Sequence, residues 1–118
     1  GIGVCNSRVL VLGLAFKENC PDLRNTRVVD IIDGLREYGI TVDIHDPWVD
    51  RAEAKHEYRL DCLAALPDPG TYDAIILAVA HRDFVEIGPA ALRALGKAKC
   101  VLYDVKAALP ADQVDGRL

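Results

Sequence analysis

Residues 8 to 15, "RVLVLGLA", are apolar almost without interruption and rich in β-branched valine, the composition of a strand covered on both faces. From residue 28 the period lengthens. Val28, Ile32 and Leu35 fall on one helical face with Ile31 and Tyr38 beside it, while Asn25 or Thr26 can cap the first turn and Gly39 follows the last. In "ITVDIHD" (40–46), Ile40, Val42 and Ile44 alternate with Thr41, Asp43 and His45, so one face is less covered and the strand belongs towards a sheet edge. Asp46-Pro47 ends it.

Residues 51 to 66 carry the weakest pattern; their last part, "DCLAAL" (61–66), reads as helix stopping at Pro67, and "PDPG" (67–70) as a turn. "YDAIILAVA" (72–80) is a second fully apolar strand. Gly88-Pro89 opens the helix "PAALRAL" (89–95), with proline at the favoured first position and Gly96 closing it. "CVLYDV" (100–105) is a further strand and "VDGRL" (114–118) a short final one. Strands alternating with helices predict an α/β fold in three layers. A mainly parallel sheet of about five strands carries helices on both faces, Rossmann-like but without a dinucleotide fingerprint. Ligands of such sheets lie beyond the carboxyl ends of the strands, near the point where strand order reverses. That places residues 15–26, "HDPW", "AHRDF" and "DVKAAL" on one rim.

Composition narrows the classes. A chain of 118 residues holds one domain with one core, and 51% hydrophobic with 27% charged residues is an ordinary globular mix. A net charge of −4 without a Lys/Arg run argues against a nucleic-acid groove, and no stretch has the length of a membrane span. Cys5, Cys20, Cys62 and Cys100 form no C-x-x-C pair, so reduced thiols are expected rather than a zinc or redox motif. The chain holds no methionine and starts at Gly1, which leads us to expect a piece of a longer protein.

The first strand-to-helix turn, "GLAFKENCPDLRN", offers Gly13 and no later glycine, so it lacks the G-x-G-x-x-G cradle of a dinucleotide site. Lys17 has neither flank of a Walker A loop, and Leu14 and Ala15 stand where a phosphoacceptor domain needs carboxylates. What remains is a cation beside an aromatic ring. Lys17 can meet a phosphate as a point charge, Phe16 can cover a base or sugar, and Arg24 adds a planar fork. The helix N-terminus adds free N–H groups, and Lys106 returns to the same rim. The plainer alternative stays open at this point: Asp22 and Arg24 pair and cap the helix, and Lys17 is a solvated surface lysine.

"GLAFKENCPDLRNTRVVDIIDGLREYGITVDIHDPWVD" (13–50) closely resembles the C-terminal, UDP-binding domain of the nucleotide-sugar 6-dehydrogenases. The likeness continues more loosely through "YDAIILAVAHRDF" to "LYDVKAAL". The combination of F-K, then D-x-R, a distant D-P and a late D-x-[KR] is fairly specific, whereas each piece alone is weak. The resemblance implies oxidation of the C6 hydroxymethyl of a UDP- or GDP-sugar to a carboxylate with two molecules of NAD. It implies that Phe16 and Lys17 contact the UDP part of the substrate and that Arg24 reaches across an interdomain cleft to NAD. Lys106 stands where relatives acting on UDP-glucose carry a substrate-contacting arginine; lysine keeps the charge and loses the bidentate fork.

"KENCPDLRNT" with "DPWVD" looks closest to the branch acting on UDP-N-acetylhexosamines, whose uronic acids feed bacterial surface polysaccharides such as O-antigen. By the same resemblance, residues 8–118 are the UDP-sugar-binding domain and residues 1–7 a linker remnant. The NAD-binding domain and a central helical region with the catalytic cysteine would precede them. No catalytic residue is then expected in this chain: Cys20 has no counterpart in the family's chemistry, and NAD would be held mainly by the missing domain. A cytoplasmic, homo-oligomeric full-length enzyme is implied. His81, Arg82 and Asp83 read as structural or interface residues, Trp48 as packing or an interface anchor, and Asp46 as a strand terminator. The alternatives are a free-standing flavodoxin-like nucleotide-binding or regulatory module and a purely structural dimerisation domain.

Overall fold

A computed structural model describes residues 6–117; Cys5 and most of the stretch read as linker lie outside them. The first strand, β1 (Arg8–Leu12), alternates its side chains between two cores, with Val9 and Val11 on one face and Leu10 and Leu12 on the other. Both faces being covered explains the unbroken apolar run. Helix α1 (Val28–Glu37) buries Val28 and Ile32 on the Val9 side, and β2 (Thr41–His45) follows, with Val42 and Ile44 turned to the same core. Then come α2 (Arg51–Tyr58), the two-residue β3 (Cys62–Leu63) and β4 (Tyr72–Leu77). Helices α3 (Arg82–Ile87) and α4 (Pro89–Arg93) pack Phe84 and Leu92 on the Leu10 face; β5 (Gly96–Asp104) and β6 (Gly116–Arg117) complete the chain.

All neighbouring strands are parallel, in the order β3-β2-β1-β4-β5-β6. The expected three-layer α/β architecture is thus present, with six strands rather than about five. β1 pairs on one side with β2 (Leu12 opposite His45) and on the other with β4 (Leu12 opposite Leu77). The chain builds outward from β1 through β2 to β3, then crosses back to β4, so strand order reverses between β1 and β4. No helix among the described residues is long and apolar enough to cross a membrane.

Several expectations are corrected. "DCLAAL" is not helical: Cys62 and Leu63 pair with Ile44 and His45, because the outer edge of β2 offers backbone groups that an adjacent segment can satisfy. The helix of this region lies earlier, at α2, where Asp50 accepts the Glu53 N–H at 3.0 Å as N-cap. Only Ala54 of α2 is buried, which is why the helix leaves so faint a hydrophobic period. α3 was not anticipated. Gly96 begins β5 instead of closing α4: a Cβ there would lie 2.1 Å from Cys100 Sγ, so the register irregularity between Tyr72 and Ala74 needs a bare backbone. At the start of α1, Arg27 occupies the cap position without a side-chain cap bond, while Thr26 Oγ1 accepts the Val28 N–H at 3.2 Å.

The end of the sheet remote from the rim is tied by polar groups. Tyr72 donates its hydroxyl to Asp43 at 2.6 Å, Arg8 pairs with the same carboxylate at 3.1 Å, and the guanidinium lies over the Tyr72 ring. Burial, then the Asp43 carboxylate, pushes the Tyr72 phenol upward, so it stays a donor.

Candidate functional site

The rim is shaped first by Gly13. Its φ of +99° suits glycine, and a Cβ would lie 2.5 Å from Val79 Cβ and 2.8 Å from Val79 N. That close approach lets the chain leaving β1 run against the chain leaving β4, where the Ala78 N–H donates to the Leu12 carbonyl at 2.9 Å. From there the turn swings outward and returns to α1 through Thr26, whose hydroxyl donates to the Leu14 carbonyl at 2.6 Å.

Between this turn, α1 and the exits of β4 and β5 lies a cavity of about 450 Å³. Phe16, Lys17 and Lys106 line it together with Arg27, on a floor made by Ala15, Val28, Ile31, Ala78, Val79 and Val105. Three cations and an aromatic ring therefore surround an apolar floor, and among the described residues lining it none carries a carboxylate. In a chain of net charge −4 that is a local inversion of sign, suited to a dianionic or trianionic ligand with a flat organic part. Phe16 is 49% exposed, a large ring left free to cover a ligand. A second, wider-mouthed cavity of about 430 Å³ lies against Phe84 and Ile87; Asp83 and Glu86 line it, which disfavours an anion there.

Behind the turn sits a buried carboxylate. Asp46, at the end of β2, accepts the Leu14 and Ala15 N–H groups on Oδ2 at 2.7 and 2.9 Å and the Trp48 N–H on Oδ1 at 2.8 Å. The same Oδ2 takes the Nε2–H of fully buried His81 at 2.8 Å. The other ring nitrogen, Nδ1, accepts the Asn19 N–H at 2.9 Å, and Asn19 Oδ1 accepts the Arg82 N–H at 2.8 Å. Accepting at Nδ1 while donating at Nε2 fixes one neutral tautomer of the ring. Burial alone would push the Asp46 carboxyl up, but the hydrogen bonds from His81, Leu14, Ala15 and Trp48 outweigh it and hold the group below the ordinary carboxylate range. Trp48 stacks on His81 at 5.7 Å, Arg82 lies over Trp48, and the indole N–H donates to Asp83 at 2.7 Å.

All four rim segments thus meet, but not all singled-out side chains do. Arg24 stands apart from the cavity: its backbone N–H and guanidinium are both bonded to Asp22, at 2.8 to 3.1 Å, and its side chain is 85% exposed. Those bonds, the side-chain one first, hold the Asp22 carboxyl low. Cys20 is a half-buried free thiol, and Cys62 and Cys100 are buried free thiols pushed upward by that burial. Two residues escaped the sequence reading. Arg27 had a usable signal, a cation at the start of a helix on the ligand rim; Asn19 had none, since its partners lie more than sixty residues away. No group of three or more His, Cys, Asp or Glu among the described residues could hold a metal. For a dinucleotide the turn lacks a glycine cradle.

Residues 10–111 match the model of the UDP-glucose/GDP-mannose dehydrogenase family, UDP binding domain. A UDP-N-acetyl-D-glucosamine 6-dehydrogenase of Pseudomonas aeruginosa is 55% identical over 99% of this chain, and one of Salmonella typhi 50% identical over 100%. In each case the chain spans 28% of the relative's length. Among solved structures, an NDP-N-acetyl-D-galactosaminuronic acid dehydrogenase from Methanosarcina mazei Go1 superposes with a TM-score of 0.83 at 23% identity. It covers 98% of this chain and 25% of its own, a likeness of fold.

Proposed function

Since the chain belongs to the UDP-glucose/GDP-mannose dehydrogenase family, in the part that forms its UDP binding domain, we propose that residues 8–118 grip the uridine diphosphate end of a UDP-sugar within a longer, NAD-dependent 6-dehydrogenase. The observation that carries this reading is the cavity at the reversal of strand order, lined by Lys17, Arg27 and Lys106 beside Phe16 and by no carboxylate among the described residues. The apolar floor and the Phe16 ring cover the uridine, and the ammonium groups of Lys17 and Lys106 neutralise the diphosphate. Lys106 supplies charge without a bidentate fork, and Arg27 adds the planar donor set nearby.

Oxidation of a C6 hydroxymethyl to a carboxylate removes four electrons, which two molecules of NAD, held mainly by another domain of the longer enzyme, would accept as one hydride each. The present residues would bind and orient. Holding the nucleotide fixes the distance of the sugar from the reacting groups, which converts binding energy into positioning. Arg24 would reach across the cleft to the dinucleotide, which requires it to exchange or share its Asp22 partner. The relatives from Pseudomonas aeruginosa and Salmonella typhi, both UDP-N-acetyl-D-glucosamine 6-dehydrogenases, favour a UDP-N-acetylhexosamine as substrate. They also favour the enzyme reading over a free-standing module.

Titration calorimetry tests the proposal. UDP should bind more tightly than ADP, and Lys17→Ala should weaken UDP about ten- to a hundredfold, the worth of one charge-assisted hydrogen bond of about 1.5–3 kcal/mol. Equal binding of UDP by the wild type and Lys17→Ala would remove the cavity from consideration.

A further inference from the structure

We propose that His81 is a positioning residue, which holds the loop of residues 14–19 in the one arrangement that presents Phe16 and Lys17 to the cavity. The inference rests on the reading of that cavity as the uridine diphosphate site. Phe16, Lys17 and Glu18 are all exposed, so their own side chains do little to fix the loop. Its backbone is fixed from behind. One end hangs on Asp46 through the Leu14 and Ala15 amides, and Phe16 N–H closes onto the Asp22 carbonyl at 2.7 Å. The other end hangs on His81 through the Asn19 amide. Asn19 has a φ of 55°, in the left-handed region, which asparagine tolerates better than most residues. Here the holding groups are His81 Nδ1 on its amide and the Arg82 amide on its side chain.

The position demands histidine. One fully buried side chain must accept from Asn19 and donate to Asp46 at once, across elements 62 and 35 residues apart in sequence. A neutral imidazole does both with its two nitrogens. Asparagine can imitate only the Nδ1 side, and glutamine only the Nε2 side. A loop fixed beforehand spares the Lys17–phosphate contact the cost of ordering it at the moment of binding. His81 therefore acts on the ligand through Phe16 and Lys17 and is not itself among the residues that line the cavity.

The test compares His81→Gln and His81→Asn in the intact polypeptide, alone and with Lys17→Ala, by amide hydrogen exchange and UDP calorimetry. His81→Gln should speed exchange across residues 16–20 and weaken UDP about tenfold, while His81→Asn, which keeps an acceptor for Asn19, should restore much of both. In the Lys17→Ala background the His81→Gln change should cost less than it does alone, because part of its effect runs through the Lys17 contact. Multiplicative losses, or affinities that follow the unfolding midpoint of each variant and not the exchange at 16–20, would overturn the proposal in favour of a merely structural histidine. If the wild type takes no UDP, the reading of the cavity fails. Exchange at 16–20 then decides the role of His81 on its own, and unchanged rates in His81→Gln end it.

Discussion

Asp46 lies behind the turn whose side chains line the cavity. Four donors converge on one buried carboxylate, three of them backbone amides whose other choices are few. Replacing it with alanine strands those donors away from water, which should cost about 3–5 kcal/mol in urea unfolding at pH 7. Because its folded pKa lies below the unfolded value of about 3.9, the stability it adds is complete above that value and drains away as pH falls through the folded one. Unfolding curves of wild type and Asp46→Ala measured from pH 7 downward should therefore converge at the acid end; a constant gap would mean the carboxylate is not the group at work. The sequence showed Asp46 only as a residue that stops a strand. Its partners Leu14, Ala15 and His81 lie 31 to 35 residues away, a separation at which no local pattern carries information. Lys17 and Lys106 were visible because charge at a strand exit is a local feature. Whether Arg24 served a ligand or Asp22 could not be decided locally, and the fold leaves its guanidinium on Asp22, clear of the cavity.

Where strand becomes helix, the connection matters as much as either element. Thr26 closes the excursion between β1 and α1 by donating to the Leu14 carbonyl while accepting from the Val28 amide, both out of water. Thr26→Val preserves the shape and removes both bonds, and should lower stability by about 1–3 kcal/mol in denaturant unfolding, read as a shifted midpoint at unchanged slope. Strands covered on both faces, β1 and β4, announced themselves as apolar runs, and α1 as a clear 3.6-residue period. The failures share a cause. α2 buries only Ala54 and so shows little periodicity, whereas "DCLAAL" shows apolar residues whose partner, the open edge of β2, exists only after the sheet has formed. A propensity can be read from one segment; a vacancy in a sheet cannot.

The molecule as a whole is one parallel sheet between two apolar layers, with its polar investment concentrated at the two ends of the strands. One end, around Tyr72, Asp43 and Arg8, is spent on holding β1, β2 and β4 together. The other carries the cavity. A ligand bound only by the folded form raises stability by mass action, about 2.7 kcal/mol at a hundred times its dissociation constant. UDP should accordingly raise the wild-type unfolding temperature in a concentration-dependent way, and the same UDP concentration should raise that of Lys17→Ala much less; identical shifts would point to binding elsewhere. Trp48 gives this arrangement a practical dividend. The chain's single tryptophan rests on the His81 ring with a guanidinium on its own face and its N–H on a carboxylate. Its emission thus arises against the group that anchors the loop, so a change in how the two rings stack changes the surroundings of the indole. The protein carries an intrinsic optical gauge of that contact, to be read in a cuvette without attaching a label.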